Sequence, residues 1–263
     1  MGEMKIDVLD HGYVEFIESW GSDERIIEAA RMSTNKGFKG WGKAECPKCG
    51  WTYEGVDAHA KSTCEGCGFV GVNFTDGDER LLGYLYRNKH STPFEMAGLV
   101  IEVKAPIFVF RQWHRHRTQS YNEMSARYTP LPAEDYVPSV ERLMVNSTKN
   151  KQAGKAKGAS DLTEESAAIA RESMVNNYKA AELAYKAHLK AGVPKELARL
   201  VLPVARYSRM RASANLRNWL AFLTLRMDSH AQYEVRVYAD AVGEFIKEKF
   251  PRTWKLFVEG INE

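Results

Sequence analysis

Apolar and polar positions alternate along Lys5-Ile6-Asp7-Val8-Leu9-Asp10, the period of a short strand. Gly12 interrupts it, and the apolar residues from Tyr13 to Trp20 keep neither a helical nor a strand period. Ser22-Asp23-Glu24 offers a cap followed by acids, so a helix is predicted from there through Ile26, Ile27 and Ala30 to Ser33. Asp76-Gly77-Asp78-Glu79 starts another helix, with Leu81, Leu82, Leu85 and Tyr86 as its apolar positions. Thr92, with Pro93 and Glu95 after it, reads as a cap at a helix N-terminus. Leu99 to Lys104 alternates and is rich in β-branched residues, which predicts a half-buried strand.

The second half is more helical. An apolar run from Ala105 to Phe110 leads into the polar stretch 111–128, and prolines punctuate an extended loop from Thr129 to Pro138. Asn146 to Ser160 lacks apolar periodicity and predicts a mobile surface loop. A long helix is expected from Asp161-Leu162-Thr163-Glu164 to Ala191, with Gly192 past its end and Ala168, Met174, Tyr178, Ala181, Leu183 and Tyr185 inward. Pro194 opens a further helix with Leu197, Leu200, Val201 and Leu202 inward. Tyr207 to Ala214 reads as a strand, Asn215 as the cap of Leu216 to Leu225, and Ser229 as the start of the last long helix. Helix dominates without regular βαβ alternation, so the expected class is α+β.

At 263 residues the chain has room for one large domain or two smaller ones. Charged residues make up 27% and the net charge is +3, so a global basic field of the nucleic-acid-binding kind is absent. No apolar run reaches the length of a membrane span, and Met1 to Asp7 holds no apolar signal core, so a cytoplasmic location is expected.

Basicity is local instead. Residues 111–128 gather Arg111, Arg115, Arg117, Arg127, His114, His116 and Glu123, and from Arg199 to Arg226 there are six arginines with no lysine and no acid. Arginine matches phosphate and carboxylate with a forked donor, so the stretch reads as an anion-binding floor, with a solvated basic turn as the competing reading. For Arg226 the plainer role is a charge at a helix C-terminus, and for His230 a satisfied core histidine.

The four cysteines, Cys46, Cys49, Cys64 and Cys67, form two Cys-x-x-Cys pairs with fourteen residues between them. That spacing predicts a closed, structural four-thiolate zinc site, against the alternative of two redox-active pairs. The module at 41–75 is too short for a core of its own and sits between two predicted helices, as an insertion would.

Several motifs now resemble one family. Arg115-His116-Arg117, seven residues and Ser125 match the signature of the flavin-dependent thymidylate synthases. The blocks Ala30 to Ser33, His90 to Glu95, Arg111 to Trp113, Ser120 to Glu123, Arg199 to Pro203 and Arg226 to Gln232 are similar to that family as well. The resemblance runs from Lys5 to about Trp254, leaving out the cysteine module and the 146–160 loop.

The resemblance implies a single thymidylate synthase-complementing domain over 1–263, with a central antiparallel-rich sheet, long helices and a zinc-ribbon-like insertion. It implies a methyltransferase of nucleotide biosynthesis. This enzyme makes dTMP from dUMP with 5,10-methylenetetrahydrofolate, reduced FAD, and NADPH to re-reduce the flavin, in a homotetramer. By position, Ser33, His90, Thr92, Glu95, Arg115, His116, Arg117, Asn215 and Arg217 would hold FAD, with His230 beside the flavin ring. Gln112, Arg115, Glu123, Ser125, Ala126, Arg127, Arg199 and Arg226 would hold dUMP, and Arg226 would meet the uracil and carry the catalysis.

All four cysteines are committed to the metal-like quartet, so no thiolate is left to attack uracil C6, and polarisation by Arg226 takes that place. Six residues past Asn215, Ala221 stands where some relatives carry a flavin-contacting Asn or His. Ala221 and the insertion leave a hydroxymethyl pyrimidine nucleotide open as product. A zinc-knuckle nucleic-acid binder is the reading from another class. The module argues against it, with two lysines and no arginine between Glu45 and Asp78.

Overall fold

The structure is a computed structural model and describes residues 4–145 and 162–262. In chain order the elements are β1 (Lys5–Val8), β2 (Gly12–Trp20), α1 (Asp23–Arg31), β3 (Trp41–Glu45), β4 (Thr52–Tyr53), β5 (Asn73–Gly77) and α2 (Glu79–Arg87). Then follow β6 (Gly98–Pro106), α3 (Ile107–Trp113), β7 (Ser120–Glu123), α4 (Val140–Met144) and α5 (Glu164–Lys190). The chain closes with α6 (Lys195–Ala198), β8 (Tyr207–Asn215), α7 (Leu216–Arg226), α8 (Tyr233–Lys249) and α9 (Pro251–Asn262). Helices and antiparallel pairings combine as the expected α+β class requires.

One sheet has the order β1-β2-β6-β8-β7 and a second the order β4-β3-β5. The chain divides into two compact units. The first comprises Met1–Ile17, Val100–Ser213 and Leu225–Ala241, the second Glu18–Leu99, Ala214–Thr224 and Val242–Glu263.

In the first unit, Ile101, Val103 and Ala105 of β6 are buried while Glu102 and Lys104 are half-exposed, as their alternation predicts. Glu102 accepts from Tyr13 at 2.8 Å and pairs with Arg211 at 3.1 Å on the polar face. Gly12 opens β2 where a Cβ would lie 1.9 Å from the Tyr238 hydroxyl and 2.7 Å from the Lys104 carbonyl. No larger residue fits that crossing. A cluster of Tyr136, Ala205 and Tyr207 packs against Phe108 and Tyr178.

The second unit buries Ile26, Ile27, Leu82, Leu85, Trp219 and Phe222. Ser22 caps α1 as predicted, its hydroxyl accepting from Arg25 N at 3.3 Å. Asp23 caps a distant helix: its carboxylate accepts from the Arg252 and Thr253 amides of α9 at 2.8 and 3.2 Å. The Thr253 hydroxyl also donates to it at 2.6 Å, and burial raises the Asp23 pKa above the ordinary carboxylate value against these three hydrogen bonds. In the smaller sheet, β3 pairs with β5 so that Trp41 lies opposite Gly77.

Several expectations need correction. Gly12 to Trp20 is a strand although its spacing suggested none. Thr92 lies inside a short 3-10 helix, Thr92–Met96, and the residue before that helix is Ser91, with no side-chain cap. The long helix is capped by Thr163, whose hydroxyl accepts from Ser166 N at 3.1 Å; Asp161 and the 146–160 loop lie outside the described residues. Ala168 and Leu183 are exposed on it, and Ala167 takes the buried position. Leu197, Leu200 and Val201 are exposed, with Leu200 at 74%. The helix there is only four residues long before a 3-10 turn, too short to turn an apolar face inward. The last long helix starts at Tyr233, because Asp228 accepts from His230 N at 2.7 Å and closes a turn first.

Candidate functional site

The arginine stretch begins on α3. Val109, Phe110 and Trp113 are buried and anchor the helix, while Arg111 stays exposed. The chain then turns sharply. Trp113 Nε1 donates to Gln119 Oε1 at 3.0 Å, and the Tyr121 hydroxyl of β7 donates to the carbonyl of His116 at 2.7 Å. β7 is held by β8 through Tyr121 opposite Ala212 and Glu123 opposite Met210. Pinned at both ends, the turn leaves Arg115 and Arg117 exposed, and among the described residues no carboxylate pairs with either. An uncompensated pair of guanidinium groups is an anion-binding arrangement.

Arg226, the last residue of α7, reaches the same turn. Its Nε donates to His116 Nε2 at 2.9 Å and its Nη2 to the Gln112 carbonyl at 3.0 Å. Burial lowers the Arg226 pKa from its ordinary value. Burial, and then the charge of Arg226, push His116 down to about 4, so its ring is neutral at neutral pH. The Gln112 side chain donates to Gln232.

The remaining residues expected around the nucleotide also lie in this unit. Arg127 pairs with Glu196 at 3.1 Å, and Arg199 Nε donates to the Glu196 carbonyl at 3.3 Å, so one residue of α6 meets both. Ser125 Oγ accepts from Arg127 N at 3.3 Å, a local turn contact. Ala126 is buried, Glu123 is exposed, and His230 is exposed with Nδ1 2.8 Å from Asp228.

Another group of expected residues belongs to the second unit. Arg217 on α7 pairs with Glu95 at 2.5 Å. His90 is exposed and meets Tyr84 edge-on at 5.5 Å. Thr92 is exposed, and the Ser33 hydroxyl donates to the Ala30 carbonyl at 3.1 Å. Asn215 caps α7, its Oδ1 accepting from Asn218 N at 3.0 Å. Ala221 is exposed on α7.

The same unit carries the cysteine quartet. The four sulfurs lie within 4.8 Å of one another, with Cys46 and Cys67 at 3.8 Å and Cys49 and Cys64 at 3.5 Å. Tetrahedral zinc with sulfur at about 2.3 Å sets its ligands about 3.8 Å apart, so the quartet fits. Burial raises the Cys46 thiol, yet the amides of Cys49 and Lys48 outweigh it and bring it down to about 7. Gly50 and Gly68 have φ of 72° and 69°, the left-handed turn that each knuckle needs.

Sequence reading missed Tyr121, Glu196 and Gln232. Glu196 and Gln232 act through partners 69 and 120 positions away, and Tyr121 through a main-chain carbonyl five residues back; periodicity carries no signal for any of them.

The family described as "Thymidylate synthase complementing protein" matches residues 15–252. The chain is 37% identical over 262 residues to the flavin-dependent thymidylate synthase of Thermus thermophilus, covering 100% of this chain and 81% of that one. It is 36% identical over 256 residues to the flavin-dependent thymidylate synthase of Thermotoga neapolitana, covering 97% and 95%. Among solved structures, the UMP/dUMP methylase PolB of Streptomyces cacaoi bound with 5-Br dUMP aligns with a TM-score of 0.71 and 31% identity, covering 97% of each chain. The same methylase bound with 5-Br UMP aligns at 0.72 with 29% identity, covering 97% of this chain and 96% of that one.

Proposed function

The chain belongs to the flavin-dependent thymidylate synthase family, a family of methyltransferases, and on that premise we propose that it converts dUMP to dTMP. The carbon comes from 5,10-methylenetetrahydrofolate, and NADPH re-reduces the flavin. One observation carries the reading: Arg226 is half-buried, held by two neutral acceptors, and lies beside an exposed arginine turn.

Gln112, Arg115, Glu123, Ser125, Ala126, Arg127 and Arg199 bind the nucleotide in this reading. Arginines take its phosphate, and Arg226 stabilises negative charge on the uracil ring as C5 attacks the one-carbon unit. Ser125 positions substrate, since no base lies next to its hydroxyl among the described contacts. The unpaired guanidinium groups of Arg115 and Arg117 suit the diphosphate of FAD. Ser33, His90, Thr92, Glu95, His116, Asn215, Arg217 and His230 complete the proposed flavin set. Bound FAD, once reduced, supplies the hydride that completes the methyl group.

Zinc in the cysteine quartet is structural and takes no part in the reaction. The enzyme works in the cytoplasm as a homotetramer, a state that the exposed apolar residues Leu197, Leu200 and Val204 favour. No helix among the described residues is long and apolar enough to cross a membrane.

Purified protein is expected to be yellow, to contain about one zinc per chain by metal analysis, and to form dTMP from the three substrates. A protein that cannot take up FAD sinks the proposal. A second reading, methylation of UMP, is favoured by the likeness to a methylase described as acting on both nucleotides. Running the assay with UMP and dUMP in turn, with product mass as readout, separates the two and also reveals a hydroxymethyl product.

A further inference from the structure

Arg226 is held in a particular way. Among the described residues its hydrogen bonds leave from Nε and Nη2 and end on His116 Nε2 and the Gln112 carbonyl. Both acceptors belong to α3 and the turn after it, which Tyr121 fixes through the His116 carbonyl. A guanidinium has five N–H donors, and two bonds from different nitrogens define its plane. The remaining donors keep a fixed direction toward whatever ligand arrives.

The choice of acceptor matters. A carboxylate would orient the arginine equally well and would cancel its charge. A neutral imidazole orients it and leaves the charge whole. It can do so only with a lone pair on Nε2, which requires the ring proton on Nδ1. We infer that His116 is a positioning residue for Arg226, fixing the guanidinium plane through Nε2 so that its uncancelled charge faces the uracil. The inference rests on the reading of Arg226 as the residue that meets the nucleotide base.

The ring itself is the first test. Nitrogen-15 NMR of the free protein at neutral pH should show His116 as the Nδ1–H tautomer with Nε2 unprotonated. An Nε2–H tautomer or an imidazolium overturns the inference without any mutation.

The second test uses FAD-saturated protein and dUMP. His116→Phe is expected to weaken dUMP binding, turnover or both by about 10- to 100-fold, the usual loss when a charged group's hydrogen-bond partner is removed. His116→Gln, which restores an acceptor oxygen, should recover most of that loss. In an Arg226→Ala background, His116→Phe should change the dUMP parameters by less than about twofold, because the two residues act as one. Additive losses, or dUMP binding and turnover at the wild-type level in His116→Phe, overturn the inference. Failure of the parent reading looks different: wild-type protein binds no dUMP, or Arg226→Ala matches wild type.

Discussion

The surroundings of Arg206 and those of Arg226 lie in one unit and present the same side chain with opposite neighbours. Arg206 is 0% exposed, and its Nε meets Asp135 at 2.9 Å while Nη1 meets Glu182 at 2.7 Å and the Pro132 carbonyl at 3.0 Å. Arg226 is half-buried, and among the described residues its bonds go to an imidazole and a carbonyl. Acids around Arg206 cancel its charge and turn it into a strut between the loop at 132–135 and α5. Neutral acceptors around Arg226 keep its charge for a ligand. A run of arginines without acids in the sequence therefore contains both kinds, and only the partners distinguish them.

The largest effect should come from Arg206→Ala. It strands Asp135 and Glu182, and a stability loss of about 3–5 kcal/mol is expected in chemical denaturation, whatever ligand is present. An unchanged midpoint would erase the contrast. Arg226→Ala should do the reverse. Turnover should fall by about 100- to 1,000-fold in the dTMP assay, with the melting temperature near wild type.

A subtler test is pH. His116 is faced by Arg226 from α7 and by Tyr121 from β7, with His114, Arg115 and Arg117 flanking it in its own turn. Its pKa falls from 6.5 to about 4, so between those values the unfolded chain takes a proton that the folded chain refuses. Stability should be free of this penalty above about pH 6.5 and should decline as pH falls toward about 4. The His116 ring, followed by NMR, should titrate near the lower value. Arg226→Ala should bring its midpoint upward, while Arg206→Ala should not.

The smallest effect belongs to the Arg127–Glu196 pair, whose partners are both exposed. Glu196→Gln should change stability by less than about 1 kcal/mol. By freeing Arg127 it should leave nucleotide affinity equal or tighter, measurable by calorimetry.

How much of this was legible depended on sequence distance. The cysteine quartet needed only spacing, because each knuckle is a local turn and the four residues span 46–67. Ser22 and Asn215 were readable as caps, since a cap acts three residues on. β2 was not readable: its outer half is exposed, which blurs the alternation. The turn after α7 delayed α8 through one Asp228 bond that apolar periodicity does not record. For the site, the residue types were evident and their pairings were not. His116 and Arg226 are 110 positions apart, and Glu95 and Arg217 are 122. No window of sequence contains either pair.

Opposite pairing of Trp41 and Gly77 brings the two ends of the cysteine-bearing segment side by side. Topologically the segment is a side branch, leaving and rejoining the main path at one point. Replacing residues 42–76 by a tight two-residue turn should therefore leave α1 and α2 where they stand. The local cost includes the bond from Lys255 Nζ to the Val56 carbonyl. Such a junction can accept a different cargo as readily as it can lose this one, which makes the site a natural graft point for a sensor or a tether.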